Sequence, residues 1–230
     1  MTVIAIDGPA ASGKGTLARR IAERLGFAWL DTGLLYRAAG MAALDRSEDP
    51  GDERAASQAA IRLAGRIAAE GPSLLEDPRL RGDEAAAAAS KLSAVPAART
   101  ALLDFQRAFA RQPPNGAEGA VLDGRDIGTV ICPDADVKLF VTASVEERAR
   151  RRVKELQGRG QAAIYTAVLE DLKQRDARDS QRAVAPLRQA ADAFLLDTSA
   201  LDADQALAAA LAMIDSVLSR SAPSRAGRQP

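Results

Sequence analysis

Two hydrophobic periods alternate near the start of the chain. Val3–Ile6 is a short apolar run that precedes a glycine-rich turn, which is typical of a buried strand. Over Lys14–Arg24, leucine and isoleucine recur every four positions, which predicts a helix, and Gly26 is placed to end it. Residues 27–30 predict a second strand, and we expect a further helix to end near Asp45.

Residues 47–118 follow a different pattern. Helical spacing of apolar residues is found over 55–69, 85–89 and 96–111. The stretch 74–82 is ambiguous between a small hairpin and an irregular loop, and a Pro-Pro-Asn-Gly sequence then marks a linker. We therefore expect this part of the chain to form an inserted subdomain that is mostly or entirely helical.

Strands and helices alternate again after residue 118. Strands are predicted over 119–122, 137–142 and 194–196. A charged helix is predicted to start at Ser144, with Glu147 in the position of a capping box, and a second one covers about 165–182. A last helix is expected over 202–218, and the polar tail at 219–230 is expected to be disordered.

This order of elements indicates an α/β fold with a five-stranded parallel sheet flanked by helices. We assign three parts to it: a core (1–46, 119–143 and 183–218), an insert (47–118) and a helical lid (144–182). Ligands bind at the carboxyl ends of the strands in such folds. We therefore expect the functional residues in the loops that follow the strands.

Composition limits the possible chemistry. The 230 residues include 31 basic and 31 acidic side chains, without the basic excess of a protein that binds nucleic acid non-specifically. The absence of histidine excludes a Ser-His-Asp triad and histidine metal ligands, and a single cysteine excludes an internal disulfide. No apolar run reaches the roughly 18 residues of a membrane-spanning helix, and no secretory signal is found. We expect a cytoplasmic protein without a membrane partner.

A glycine-rich sequence between the first strand and the first helix fits a phosphate-binding P-loop. Its residues are Gly8, Pro9, Ala10, Ala11, Ser12, Gly13, Lys14, Gly15 and Thr16. Here backbone N–H groups converge on phosphate oxygens, and Lys14 can reach the β- and γ-phosphates of a nucleoside triphosphate. Gly15 stands where a magnesium-binding serine or threonine is usual, so Thr16 or water would have to replace that ligand.

Further motifs follow the P-loop in a specific order. They are L-D-T-G-L-L-Y-R at 30–37, A-A-S at 88–90, Arg99, D-G-R-D-I-G-T-V at 123–130, R-D-A-R-D at 175–179 and R-A-V-A-P-L at 182–187. With the G-K-G-T ending of the P-loop, they resemble the bacterial cytidylate kinases, a branch of the nucleoside monophosphate kinases. The resemblance covers nearly the whole chain up to about residue 217.

The resemblance implies residues for each part of an acceptor nucleotide. Those that would hold its phosphate are Thr32, Arg37, Arg125 and Arg182. Those that would read the cytosine edge are Ser90, Arg99 and Asp126, where a carboxylate accepts from the 4-amino group. Those that would contact the sugar are Arg175 and Asp179.

The resemblance also implies the groups that transfer the phosphoryl group. Those that would neutralise its charge are Lys14, Arg125, Arg152 and Arg182. Asp123 would orient the Mg²⁺ of MgATP, with Thr16 as a second candidate. The lid offers Arg148, Arg151, Arg152 and Arg159. A solvated, salt-bridged pair of helices explains any one of these four equally well, because glutamates are interspersed among them.

The sequence thus predicts a monomeric kinase that transfers the γ-phosphoryl group of ATP to CMP or dCMP. Two alternatives stay open: a kinase for another nucleoside monophosphate, and a nucleotide-binding regulator or assembly ATPase. One departure concerns the insert, because longer bacterial cytidylate kinases carry a small β-sheet there, whereas residues 50–82 look helical and shortened. Cys132 is interpreted as a structural thiol and Trp29 as a core residue.

Overall fold

The fold is described by a computed structural model that covers residues 1–221. Five parallel strands form one sheet in the order β2-β3-β1-β4-β5. The strands are β1 (Thr2–Asp7), β2 (Ala28–Asp31), β3 (Gly119–Gly124), β4 (Val137–Thr142) and β5 (Phe194–Asp197). The predicted five-stranded parallel sheet is confirmed.

Alternate residues of the central strands face two separate hydrophobic layers. Ala5 and Leu122 pack with the insert and the second helix on one side of the sheet. Ile4 and Ile6 pack on the other side, with the first and the last helix. Since both faces are covered, β1 and β3 are apolar in their interiors and carry their acidic residues at the carboxyl ends. Asp7, Asp31 and Asp123 lie there.

Eight α-helices surround the sheet in the described residues. They are α1 (Lys14–Leu25), α2 (Thr32–Leu44), α3 (Glu53–Glu70), α4 (Asp83–Leu92), α5 (Pro96–Arg111), α6 (Val145–Gly158), α7 (Tyr165–Gln181) and α8 (Ala203–Ser221). Helix α8 extends three residues into the segment predicted as a disordered tail, and the remainder of that segment, 222–230, lies outside the described residues.

The ambiguous stretch before α4 forms two short 3₁₀ helices, Pro72–Glu76 and Pro78–Arg81, not a hairpin. A proline begins each one, where its fixed φ suits a helical turn and its missing N–H is not needed. No strand occurs among residues 47–118, which agrees with the expectation of a helical insert. The insert reaches the core through α2 and α4, where a Cβ on Gly40 would lie 2.8 Å from the Cβ of Ala88.

The capping box predicted at the start of α6 is half present. The Ser144 hydroxyl accepts from the backbone N–H of Glu147 at 3.3 Å, as expected of an N-cap. The Glu147 carboxylate does not return the bond, because it is bound by the guanidinium groups of Arg150 and Arg151. The Ser144 backbone N–H instead donates to Ser199 Oγ. Within residues 1–221, no helix is long and apolar enough to cross a membrane.

Candidate active site

A cleft of about 750 Å³ opens at the carboxyl ends of the strands, where core, insert and lid face one another. It is lined by every residue that the sequence assigned to a nucleotide or to magnesium, apart from Gly8 and Pro9. Lys14 and Arg182, which are 168 positions apart in the sequence, thus meet in one cavity. Their placement together supports a single binding region with two ends.

The P-loop closes one end of the cleft, and its shape depends on glycine. A Cβ on Gly8 would lie 2.0 Å from the carbonyl oxygen of Val141, so no larger residue fits there. Gly13 has φ 86° and precedes α1 directly, which leaves the first N–H groups of the helix facing the cleft. Residues from other parts of the chain hold the loop in place. Thr198 Oγ1 donates to the Ser12 carbonyl oxygen, and Arg148 Nη1 donates to the Ala10 carbonyl oxygen.

Lys14 faces two carboxylates at the start of α1. Burial and the nearby Arg125 lower the pKa of Lys14 to about 8, although Asp123 and Asp31 oppose this shift. Burial and the charge of Asp31 raise the pKa of Asp123 to about 7. Asp123 Oδ1 accepts from the indole N–H of Trp29 at 2.8 Å. Its Oδ2 lies on the P-loop side, 3.6 Å from the position of a Cβ on Gly15.

Four arginines crowd the middle of the cleft. Burial, followed by the charges of Arg175, Arg152 and Arg125, lowers the pKa of Arg37. Burial and Arg125 also lower the pKa of Arg175. Arg125 Nε donates to Asp179 Oδ2 at 2.8 Å, and that guanidinium helps to hold the pKa of Asp179 below its usual value. So many cations in one partly buried space favour a polyanionic ligand.

The far end of the cleft contains a buried carboxylate between two arginines. Asp126 accepts from Arg99 Nη2 at 2.5 Å and lies 3.6 Å from Arg182 Nη2. That Arg182 nitrogen is buried and has no hydrogen-bond partner within the described part of the chain. The Arg99 guanidinium also lies 5.3 Å from the centre of the Tyr36 ring. This end combines one strong acceptor with donors in a confined space.

The turn that carries Arg125 and Asp126 is anchored by a carboxylate at the end of β1. Asp7 accepts from the backbone N–H groups of Ile127 and Gly128 at 2.7 and 2.8 Å. Burial raises the pKa of Asp7 to about 6, and the two N–H groups counteract that shift. Both carboxylate oxygens of Asp7 thus hold the backbone of the two residues that follow Asp126.

Hydroxyl groups link elements around the cleft at two points, one within the core and one between the insert and the lid. Thr32 Oγ1 donates to the carbonyl oxygen of Asp123 at 2.8 Å and is buried at the start of α2. Ser90 Oγ lines the cleft near the end of α4 and accepts from Arg178 Nη1 of α7 at 2.5 Å.

The four lid arginines separate into two groups. Arg152 and Arg159 line the cleft, and both also bond to the insert, at Asp83 and at the Arg81 carbonyl. Arg148 does not line it: it is 5 % exposed and holds Asp176 and the P-loop backbone. Arg151 lies outside the cleft as well, where it donates to Thr198. Arg148 and Arg151 therefore support the site from behind.

Several side chains of the cleft received no role from the sequence, among them Trp29, Asp31 and Tyr36. Trp29 was interpreted as core, whereas it is half-buried and binds Asp123. Asp31 and Tyr36 lie within the motif at 30–37 but received no role. The available signal was the position of Asp31 at the end of a strand, next to the strand that carries Asp123. For Cys132, burial raises the pKa to about 11, which fits the interpretation as an unreactive structural thiol.

Comparison with known proteins agrees with this geometry. The family model described as "Cytidylate kinase" matches residues 4–216. The chain belongs to the cytidylate kinase family. A cytidylate kinase of Paramagnetospirillum magneticum is 62% identical over 94% of this chain and 98% of its own length. One of Rhodospirillum rubrum is 59% identical over 91% of this chain and 95% of its own length.

The fold also matches a solved structure of distant sequence. An uncharacterized protein from Eubacterium ventriosum has a TM-score of 0.53 and 16% identity, over 94% of this chain and 99% of its own length. Family membership identifies the enzyme class as an ATP-dependent nucleoside monophosphate kinase.

Proposed function

We propose that this protein transfers the γ-phosphoryl group of MgATP to CMP or dCMP, giving ADP and CDP or dCDP. The observation that carries the proposal is the two-ended cleft, with Lys14 and the P-loop at one end and the Arg99–Asp126 pair at the other. Crowded arginines lie between these ends, where two nucleotides would bring their phosphates together. We propose that the enzyme acts as a monomer. We place it in the cytoplasm, with the two nucleotides as its partners.

The donor end would hold the triphosphate and its magnesium. The backbone N–H groups of the P-loop from Gly8 to Thr16, apart from Pro9, which has none, and the Lys14 ammonium would bind the phosphate oxygens. Within residues 1–221, no cluster of three or more acidic or cysteine ligands could hold a metal on its own. This fits Mg²⁺, which keeps several waters and uses one or two carboxylates together with substrate phosphates. Asp123, whose Oδ2 lies 3.6 Å from the position of a Cβ on Gly15, would be one ligand, and Thr16, exposed on α1, would supply a second oxygen.

The acceptor end would hold the monophosphate in three places. Arg37, Arg125 and Arg182, with the Thr32 hydroxyl, would bind its phosphate, since guanidinium groups match phosphate oxygens bidentately. Arg175 and Asp179 would contact the sugar. At the base, Asp126 would accept from the 4-amino group of cytosine, and Arg99 would hold Asp126 in place. Uracil has a carbonyl oxygen at that position, so acceptor would face acceptor.

Catalysis follows from positioning and charge neutralisation. The acceptor phosphate is largely dianionic at neutral pH, so it attacks through its own oxygen and requires no general base. Lys14, Arg125, Arg152 and Arg182 would neutralise the charge that develops on the transferred group. When bound, Mg²⁺ would neutralise charge on the donor phosphates. Arg152 and Arg159 connect the lid to the insert over the cleft, which would keep water from the donor phosphate.

The proposal is tested by ADP release from MgATP with AMP, CMP, dCMP, UMP and GMP offered separately. Fast turnover with CMP and dCMP alone is the expected result. Preference for another monophosphate would keep the kinase core but remove the assignment of Ser90, Arg99 and Asp126. Binding of ATP without phosphorylation of any acceptor would favour a regulator or assembly ATPase.

A second test addresses the base-reading residues. Asp126→Ala and Arg99→Met should both reduce the preference for CMP over UMP, because they remove the acceptor or the group that holds it. An unchanged preference would contradict the base assignment. Asp104→Ala, an exposed acidic residue of α5, provides the matched control.

A further inference from the structure

Trp29 is the only tryptophan of the chain, and it lies at the donor end of the cleft. Its Nε1 donates to Asp123 Oδ1 at 2.8 Å. Trp29 lines the cleft together with Gly15 and Thr16, the two residues that follow Lys14. The proposed reaction gives no role to Trp29, although this side chain binds a carboxylate that the reaction uses.

Strand register brings the indole to that carboxylate. Trp29 is the register partner of Val121 on the adjacent parallel strand, two residues before Asp123. Side chains two residues apart in a strand point to the same face of the sheet, so Trp29 and Asp123 are diagonal neighbours on one face. Trp29 also packs against the hydrophobic layer that contains Leu17 and Ile21 of α1. The sheet and the first helix therefore fix the ring, and with it the direction of its N–H group.

The indole hydrogen bond distinguishes the two oxygens of Asp123. This residue is 3% exposed, and within residues 1–221 the Trp29 N–H is the only hydrogen-bond donor to its side chain. No lysine or arginine in that part of the chain forms an ion pair with it. Oδ2, which lies 3.6 Å from the position of a Cβ on Gly15, thus keeps its lone pairs free beside the P-loop. A buried carboxylate oxygen without a donor suits a cation or the water of a hydrated cation.

We propose that Trp29 is a positioning residue of the donor end: its N–H holds Asp123 Oδ1 and keeps Oδ2 turned toward the P-loop, available to the Mg²⁺ of MgATP. The terminal torsion of an aspartate is broad, so a carboxylate without such a partner has no single preferred orientation. Partners that bind the second oxygen of a metal-binding carboxylate commonly have this orienting role. The inference rests on the proposed function and deepens it, because it concerns the same site.

The first test separates the hydrogen bond from the packing of the ring. Trp29→Phe keeps an aromatic ring but lacks the N–H group. Phe27→Leu is the matched control, because it removes aromatic bulk from the same hydrophobic layer without a contact to Asp123. Affinity for ATP is measured by calorimetry with Mg²⁺ and with EDTA, without an acceptor, and a thermal melt shows that each variant is folded.

Trp29→Phe should lower the Mg²⁺-dependent gain in ATP affinity roughly tenfold, the scale expected when the partner of a metal-binding carboxylate is lost. Affinity for ATP in EDTA should stay nearly unchanged. In the kinase assay, kcat should fall by a similar factor at saturating substrates, whereas KM for CMP should not change, because the acceptor end is not altered. Phe27→Leu should retain the Mg²⁺-dependent gain and kcat.

The single tryptophan provides a second measurement, which needs no variant at position 29. Emission of the unmodified protein is recorded with ATP in EDTA and again after excess Mg²⁺ is added, without an acceptor. Addition of Mg²⁺ should change the emission, because indole fluorescence depends on the group that the N–H binds. The change should disappear in Asp123→Asn and remain in the exposed control Asp104→Asn.

An unchanged Mg²⁺-dependent gain in Trp29→Phe, or an equal loss of affinity with and without Mg²⁺, would overturn the inference and leave the indole a packing role. An emission change that is absent from the unmodified protein, or that persists in Asp123→Asn, would overturn it as well. These binding measurements involve no acceptor, so they are valid whether or not CMP is phosphorylated. Failure of the unmodified enzyme to phosphorylate CMP would instead remove the proposed function, and the two failures are therefore distinguishable.

Discussion

Asp31 and Asp123 are register partners on the adjacent parallel strands β2 and β3. Their side chains consequently emerge on the same side of the sheet, where both strands end. After burial, the charge of Asp31 is the largest cause that raises the pKa of Asp123, to about 7. The same two carboxylates oppose the lowering of the Lys14 pKa. The pKa values of Asp123 and Lys14 therefore both depend on the charge of Asp31.

Asp31→Asn should lower the pKa of Asp123, because it removes a negative charge without changing the side-chain shape. If ionised Asp123 is needed for activity, the acid limb of kcat/KM for ATP should move to lower pH by about one unit. The measurement is the pH dependence of kcat/KM from pH 5 to 9, with exposed Asp134→Asn as the control for net charge. An acid limb that moves equally in both variants would contradict the coupling.

Lys14→Met should reduce turnover by about two to three orders of magnitude, the scale observed when one stabilising donor is removed. The fold should remain intact. Because burial and Arg125 already lower the pKa of Lys14 to about 8, its charged form is disfavoured in the native state. Removal of the charge should thus leave the melting temperature without ligand equal or higher.

The control for Lys14 is Lys154→Met, an exposed cation on α6. It should retain both turnover and melting temperature. A coupled ADP-release assay and a thermal melt, each with and without MgATP, provide the measurements. Full turnover in Lys14→Met would remove its assigned role, and a large loss of thermal stability would contradict the pKa argument.

Elements with a strong hydrophobic period were predictable from the sequence. Helix α5 and strand β4 have the predicted bounds, Pro96–Arg111 and Val137–Thr142. Proline starts α5, and a mostly apolar, largely buried run defines β4. The stretch 74–82 was not predictable, because its turns are set by Pro72 and Pro78 and not by a period.

The candidate site was predictable as a set of residues but not in its geometry. The order of the motifs predicted that Lys14 and Arg182 belong to one site, and in the structure both line the same cleft. Spacing could not distinguish Arg148 from Arg152, because residues four apart lie on similar faces of one helix. Packing against α7 and the P-loop decides the difference, and contacts of that kind are not encoded in local periodicity.

Stability should fall as pH rises through the range in which Asp7 ionises. The native pKa of about 6 exceeds the ordinary value of 3.8, so the folded protein binds the proton more tightly than the unfolded chain does. The contribution of Asp7 is therefore fully present below about pH 4 and is lost by about pH 6, with a magnitude of up to about 3 kcal/mol.

Asp7→Asn should flatten this part of the stability profile. Asp123 titrates in the same direction up to about pH 7, so the variant retains part of the slope. The free energy of unfolding is measured by urea denaturation at half-unit steps between pH 4 and 7 for the unmodified chain, Asp7→Asn and the exposed control Asp104→Asn. Identical slopes for all three would mean that Asp7 does not titrate in this range.

Arg148 should contribute to the free energy of unfolding, whereas Arg150, two positions further along the same helix, should not. The Arg148 side chain is 6% exposed and binds Asp176 at 2.5 Å, together with two backbone carbonyls. Arg148→Met would leave Asp176 and the Ala10 carbonyl without this partner; breaking a fully buried pair costs about 3–5 kcal/mol, and the 29% exposure of Asp176 places this pair at or below the lower end of that range. The Arg150 side chain is 64% exposed, so Arg150→Met should change stability by less than about 0.5 kcal/mol.

The two variants also separate support of the P-loop from contact with a phosphate. Because Arg148 holds the Ala10 carbonyl, Arg148→Met should weaken ATP binding in parallel with its loss of stability. Urea denaturation and ATP titration of both variants provide the comparison. A variant at Arg148 that unfolds at the same urea concentration as Arg150→Met, yet loses turnover, would instead place Arg148 among the lid groups that touch the transferred phosphoryl group. Retention of both properties would show that Thr198 alone is sufficient to hold the loop.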